Sequence, residues 1–288
     1  MNIVLSTDSN YVFQTCITIY SVIKNNSGVR TIYVLASNLT ESECKYIENI
    51  SVGTKIKIVI VNVPEGKIKG KLKSDHLSEA TYNRLLMDEL LPLEVKRVLY
   101  LDSDIVVIGD ISKLYYTKSI EEKTAVVVEG FTSKNVDYLK KAIGGYGWKN
   151  NTMCGELSKK NVGFKSKEKY FNAGVMLIDL QKMRQNCIGY KCAEAQKKIN
   201  YFDADQGALN YVLKDEVGYA PMKYNCRPDV YGKKWQWYLR RHSAIFHYSK
   251  KPWNDLRVLN GGVWWKYALE FDSKIALQFM WKAVKNLK

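Results

Sequence analysis

The sequence predicts an α/β fold, a Rossmann-like and mostly parallel central sheet flanked by helices. Three observations predict it. Short β-branched runs alternate with segments of helical period, the order in which βαβ units are laid down. With 288 residues, the chain is long enough for one large domain of this class, or one domain plus an appendage. Acidic residues also follow two of the extended runs, Asp8 after NIVLST and Asp102 after RVLYL, and the carboxyl ends of strands are where such sheets bind ligands.

The elements follow in order. NIVLS near the start, TIYVLAS at 31 to 37, KIKIVIVNV at 55 to 63, RVLYLD at 97 to 102 and TAVVVE at 124 to 129 read as strands. Between the first two, YVFQTCITIYSVIKNN has apolar spacing near 3.6 and reads as a helix. TESECKYIENI opens a second helix with a capping box of Thr40 and Glu43, and the segment from His76 to Arg84 is expected to be helical. From Gly144 to about Lys169 the chain is rich in glycine, lysine and polar residues without periodicity, and a loop of that length reads as a lid or functional loop. KYFNAGVMLIDL then predicts a buried strand entering a helix, and DADQGALNYVLKD a helix beginning near Asp203. The tail, VWWKYALEF to FMWKAVKNLK, mixes Trp, Phe and Lys on a helical period.

Composition narrows the function classes. Lys and Arg number 44 against 29 Asp and Glu, a net charge of +15, which calls for an anionic partner: a phosphorylated substrate, an acidic membrane surface or nucleic acid. The basic residues are dispersed and no nucleic-acid-binding motif is present, so nucleic acid is not expected as a partner. The six cysteines show neither CxxC pairs nor zinc-ligand spacing, and the N-terminus lacks a basic flank and long apolar core. The expectation is a cytoplasmic protein with reduced thiols. No run approaches the roughly 18 to 20 uncharged apolar residues of a spanning helix.

The most informative stretch is VLYLDSDIVV, residues 98 to 107. An unpaired buried carboxylate costs several kcal/mol, so Asp102 and Asp104 inside an apolar run require a neutralising partner. In an extended backbone, side chains alternate with period two, which would put both carboxylates on one side. Two hard oxygen ligands then face one divalent cation.

Six segments, in order, carry a resemblance: STDSNY (6 to 11), HLSEATYNRLL (76 to 86), VLYLDSDIVV, YFNAGVMLIDL (170 to 180), DADQGALN (203 to 210) and HYSKKPW (247 to 253). Over residues 1 to about 255 the chain resembles glycosyltransferase family 8, retaining nucleotide-sugar-dependent enzymes of GT-A fold. The resemblance implies a catalytic domain over 1–255 and leaves 256–288 as a basic, aromatic tail. That tail suits either attachment to an anionic membrane surface or packing on the domain.

Residue by residue, the resemblance implies that Asp8, Asn10 and Tyr11 hold the uracil and ribose of a UDP-sugar. A ring can stack on the base while Asn and Asp bond its edge or the ribose. Asp8 suits equally the capping of the following helix. His76 and Arg84 match donor-site positions, Arg84 near diphosphate and sugar, where a planar guanidinium suits bidentate contact; His76 reads equally as a loop histidine. Asp102, Ser103 and Asp104 form the acidic triplet. His247 is implied as the third metal ligand beside Asp102 and Asp104, a nitrogen-containing set that suits Mn²⁺ better than Mg²⁺, which stays the alternative ion. The spacing in HYSKKPW is shorter than the family's, so Lys250 and Lys251 compete to reach the diphosphate, and Lys251 is preferred.

Asn172, Asp205 and Gln206 match positions lining the donor sugar, with Gln206 and Asp205 as the catalytic candidates. Where the family often has a second acid, this chain has Gly207, which cannot act as a nucleophile. That favours departure and attack on the same face of the sugar, with Gln206 supporting the oxocarbenium-like centre. The resemblance implies transfer of glucose or galactose to a glycan, lipid-linked or glycoprotein acceptor. Two other classes compete: a nucleotidyltransferase that makes a nucleotide sugar, for which STDSNY lacks the usual glycine-rich phosphate loop, and a basic nucleic-acid-binding module.

Overall fold

The computed structural model describes residues 1–64, 79–130, 164, 168–198, 204–228, 231 and 233–285. His76 and nearly all of the lysine-rich 144–169 segment lie outside the described residues.

Among the described residues nine strands are present: β1 Asn2–Asp8, β2 Thr31–Ser37, β3 Lys57–Asn62, β4 Arg97–Leu101, β5 Ile105–Val107, β6 Ala125–Glu129, β7 Phe171–Asp179, β8 Val217–Ala220 and β9 Ile245–His247. Seven form the central sheet in the order β3-β2-β1-β4-β7-β6-β8, and β5 pairs with β9 in a separate two-stranded sheet. The central sheet is mostly parallel: β7 alone runs against its neighbours β4 and β6. The expected α/β architecture is therefore the one observed. Sequence reasoning missed β8, four residues with a glycine in the middle.

The labelled helices are α1 Val12–Asn25, α2 Glu41–Glu48, α3 Ile188–Lys198, α4 Ala204–Val212, α5 Gly261–Phe271 and α6 Ser273–Lys285. Both halves of the capping box at Thr40 and Glu43 form. The segment expected to be helical before Arg84 is instead a 3-10 helix, Glu79–Leu86, where described. The strand-to-helix reading of YFNAGVMLIDL holds, and Asp179 ends the strand by accepting a hydrogen bond from Lys182 N at 3.0 Å.

Side chains of the central strands alternate between two cores. Leu99, Leu101, Val175 and Leu177 pack with Cys16 and Ile19 of α1, whereas Val98, Tyr100, Met176 and Ile178 pack with Cys192 of α3 and Leu209 of α4. This double covering explains why the central strands are apolar nearly throughout. A third core joins Phe13 and Ile17 to Trp253, Trp264 and Trp265. Phe13 stacks on Phe279 at 5.2 Å, so α5 and α6 are fastened to α1 through aromatic contact. Trp264 and Trp265 are core residues; Trp281 is 65% exposed.

Candidate active site

The acidic triplet is not in the extended backbone expected of it. β4 ends at Leu101, and Asp102, Ser103 and Asp104 make a turn before β5. Ser103 draws the turn inward: its hydroxyl donates to Ser6 O at 2.7 Å and accepts from Thr15 Oγ1 at 2.8 Å. Both carboxylates nevertheless converge on His247, at the end of β9. The pairing of β9 with β5, Ile105 opposite His247, brings the histidine there.

Ligand atoms of Asp102, Asp104 and His247 lie within 4.8 Å of one another. His247 Nε2 is 3.1 Å from Asp104 Oδ1 and 3.9 Å from Asp102 Oδ2. Asp104 Oδ1 is buried and has no aligned hydrogen-bond donor, so the two groups face a common point rather than bond to each other. Gly174, on β7, keeps that point open. A Cβ there would stand 2.4 Å from His247 Cε1 and 2.8 Å from Asp102 Oδ2. An orphaned carboxylate oxygen, a second carboxylate and an imidazole nitrogen fit a divalent cation.

Positive charge surrounds these acids. Lys251 Nζ bonds Asp104 Oδ2 and donates to Tyr248 O at 2.8 Å, while Lys250 is exposed. Burial pushes the Asp104 carboxyl up, yet the group is held well below the ordinary range, with the Lys251 ammonium the largest opposing influence. Burial likewise lowers the Lys251 ammonium, but Asp104 more than offsets this and raises it.

Arg84 is 6% exposed and sits between two carboxylates. Its Nη1 is 3.0 Å from Asp102 Oδ1 and its Nε 2.5 Å from Asp205 Oδ2. Nη1 also donates to Ala173 O at 2.8 Å and Nε to Thr81 O at 3.1 Å. The guanidinium is thus turned inward, toward protein acids and carbonyls. Burial raises Asp205 to about 6, against the opposing effect of Arg84 and with a further push from Asp102. Tyr100 also donates to Asp102 Oδ1, at 2.9 Å.

Behind the acids runs a chain of amides. β7 loses its regular register with β6 between Val127 and Val128, next to Asn172–Gly174, a position typical of irregularities beside functional sites. Gln206 Oε1 accepts from Ala173 N at 3.0 Å and Asn172 Nδ2 at 2.9 Å. Asn172 Oδ1 accepts from Gly174 N at 3.1 Å and Asn225 Nδ2 at 2.8 Å, and Asn225 Oδ1 is 2.9 Å from His247 Nδ1. One turn along α4, Asn210 clamps the helix to β7 through both backbone groups of Phe171, at 2.8 and 2.9 Å.

A cavity of about 560 Å³ opens over the acids, at the carboxyl ends of β1 and β4. Asp8, Asn10, Tyr11, Arg84, Asp102, Ser103, Asp104 and Lys251 all line it. Asp8 Oδ1 accepts from Asn10 N at 2.9 Å and shapes the turn before α1, whose N-cap is Tyr11. The capping role considered for Asp8 is therefore a turn role. Tyr11 meets Trp253 edge-on at 6.0 Å. Asn172, Asp205 and Gln206 stand behind this wall, joined to it through Arg84 and the amide chain; His76 lies outside the described residues. Sequence reasoning missed Asn225 and Tyr100, for which no local pattern speaks. Gly174 was legible as a glycine inside a strand, a mark of close approach.

The chain matches the model of Glycosyl transferase family 8 over residues 2–257. It is 26% identical to the lipopolysaccharide 1,2-glucosyltransferase of Escherichia coli strain K12, covering 94% of this chain and 78% of that protein. It is also 26% identical to general stress protein A of Bacillus subtilis strain 168, covering 88% of each. A crystal structure of the galactosyltransferase LgtC with donor and acceptor sugar analogs superposes with a TM-score of 0.74 at 25% identity, covering 94% of this chain and 96% of that one.

Proposed function

The chain belongs to glycosyl transferase family 8, and from that premise we propose that it transfers glucose or galactose from a UDP-sugar to a glycan or lipid-linked acceptor, with Mn²⁺ and with retention of configuration. The observation that carries this is the convergence of Asp102, Asp104 and His247 below a cavity bordered by Lys251. The names of the relatives, a lipopolysaccharide glucosyltransferase and a galactosyltransferase, support a hexose as cargo and a surface glycan as acceptor.

A divalent cation held by those three residues would supply Lewis-acid neutralisation of the departing diphosphate. Lys251 adds a second positive charge beside it. Asp8, Asn10 and Tyr11 hold the uridine at the rim, and Ser103 fixes the turn that carries both acids. Arg84 serves the donor from within, keeping Asp102 and Asp205 in place with its inward-facing guanidinium. Asn172, Asp205 and Gln206 act on the sugar from behind the cavity wall, through Arg84 and the amide chain, with Gln206 supporting the cationic centre. Gly207 offers no nucleophile, so the acceptor hydroxyl approaches the face that the diphosphate leaves and gives its proton to a phosphate oxygen.

The catalytic unit is taken as residues 1–255, with 256–288 appended to it. Among the described residues no helix is long and apolar enough to cross a membrane. Leu277 and Trp281, exposed on α6 near Lys282 and Lys285, form the surface through which the appendage would meet anionic lipid.

The test is a donor-hydrolysis screen across nucleotide sugars with Mn²⁺, run beside Asp104→Asn. UDP-hexose turnover that falls roughly 100-fold or more in the variant is expected. Equal turnover by the two proteins refutes the metal assignment.

A further inference from the structure

The amide chain behind the site has a direction, and the backbone sets it. Ala173 and Gly174 each present an N–H, which can only donate, to the side-chain oxygens of Gln206 and Asn172 respectively. With its oxygen committed to Gly174, Asn172 turns its NH₂ to Gln206 and accepts from Asn225. Asn225 must then donate through its NH₂ and point its oxygen at His247 Nδ1, 2.9 Å away. A carbonyl oxygen only accepts, so Nδ1 of the neutral imidazole carries the proton and Nε2 keeps its lone pair. Reversing Gln206 or Asn172 sets an NH₂ group against a backbone N–H, reversing Asn225 alone sets its oxygen against Asn172 Oδ1, and reversing all three sets the Gln206 and Asn172 NH₂ groups against backbone N–H groups. Asn225 is 5% exposed and His247 7%, so water has little room to restore the loss.

We propose that Asn225 is a positioning residue for the metal centre: it transmits the orientation of the Ala173 and Gly174 amides to His247, fixing the tautomer whose Nε2 faces Asp104 and Asp102. A histidine ligand is ordinarily held this way by a partner on its other nitrogen. Here that partner ends an amide chain that begins at Gln206, so the side chain proposed to act on the sugar and the one proposed to hold the cation share one hydrogen-bonded frame. The inference rests on the metal assignment above.

Two measurements test it, the first without any variant. In metal-free protein labelled with ¹⁵N, long-range ¹H–¹⁵N spectra of the imidazoles should show His247 protonated at Nδ1 and bare at Nε2; the chain has three histidines, and His247→Gln assigns the signal. Protonation at Nε2 in the wild type overturns the proposal. Second, Mn²⁺ titrations should show Asn225→Ala weakening binding by about 10–100-fold, with His247 distributed over both tautomers. Asn225→Asp keeps an acceptor opposite Nδ1 but loses the donor to Asn172 Oδ1, so its affinity should fall between those of wild type and Asn225→Ala. Wild-type affinity in Asn225→Ala overturns the proposal while leaving the metal site standing, provided that Asp104→Asn abolishes binding. If Asp104→Asn binds Mn²⁺ like wild type, it is the metal assignment that fails.

Discussion

Substituting Gly174 by Ala should dismantle the cation site with a single methyl group. The ideal Cβ lies 2.4 Å from His247 Cε1 and 2.8 Å from both His247 Nδ1 and Asp102 Oδ2. Carbon atoms in contact rest about 3.5–4.0 Å apart, so the ring or the strand must retreat by roughly 1–1.5 Å. Metal–ligand distances are held to about 0.2 Å, and the displacement exceeds that several-fold. The glycine has no left-handed backbone that alanine would strain, since Gly53 is the positive-φ glycine among the described residues. The effect is therefore that of the methyl group alone. Overpacking should cost about 1–3 kcal/mol of stability, and Mn²⁺ affinity should fall by at least about 10–100-fold. Isothermal titration with Mn²⁺, on protein shown folded by circular dichroism, reads the second effect separately from the first. The control is Gly262→Ala, where a Cβ meets nothing within 4 Å; near the start of α5 it should stabilise by about 0.4–1 kcal/mol and bind Mn²⁺ normally. A Gly174→Ala protein with wild-type affinity refutes the geometry of the site.

Three further outcomes follow from the same contacts. Lys251→Met leaves the buried Asp104 carboxylate without its ammonium and should cost metal-free protein about 3–5 kcal/mol, much of it recovered on adding Mn²⁺; a thermal shift no larger than that of wild type contradicts this. Asp205, raised to about 6 by burial, has a folded value above the unfolded value of about 3.9, so its contribution is fully present below pH 4 and is lost as pH rises through 6. In chelator, wild-type stability should decline across that window by about 3 kcal/mol relative to Asp205→Asn, and parallel pH profiles of the two proteins rule it out. Trp264→Ala, which empties a fully buried site in the core shared by α1 and α5, should cost about 3–5 kcal/mol by chemical denaturation; a cost below 1 kcal/mol would show that α5 is not part of that core.

Most of the sheet and the acidic half of the site are determined by the sequence alone. Periodicity is a local property, so the runs at β1, β2, β4, β6 and β7 and the helix α1 can be read without knowing their neighbours. Two acids inside VLYLDSDIVV imply a neutralising partner because desolvation of a carboxylate costs more than a strand can tolerate unaided. Tertiary structure decided what lies between distant segments. The triplet became a turn because Ser103 found Ser6 and Thr15, neither of which is near it in the chain. β7 entered the sheet antiparallel between β4 and β6, a choice that side-chain period does not record. The inward commitment of Arg84, the contact of Lys251 with Asp104, and the role of Asn225 depend on which groups pack opposite them. Pattern in a sequence reports the burial that each segment needs, whereas hydrogen-bond direction and charge pairing belong to pairs of residues and exist only once the chain has closed on itself.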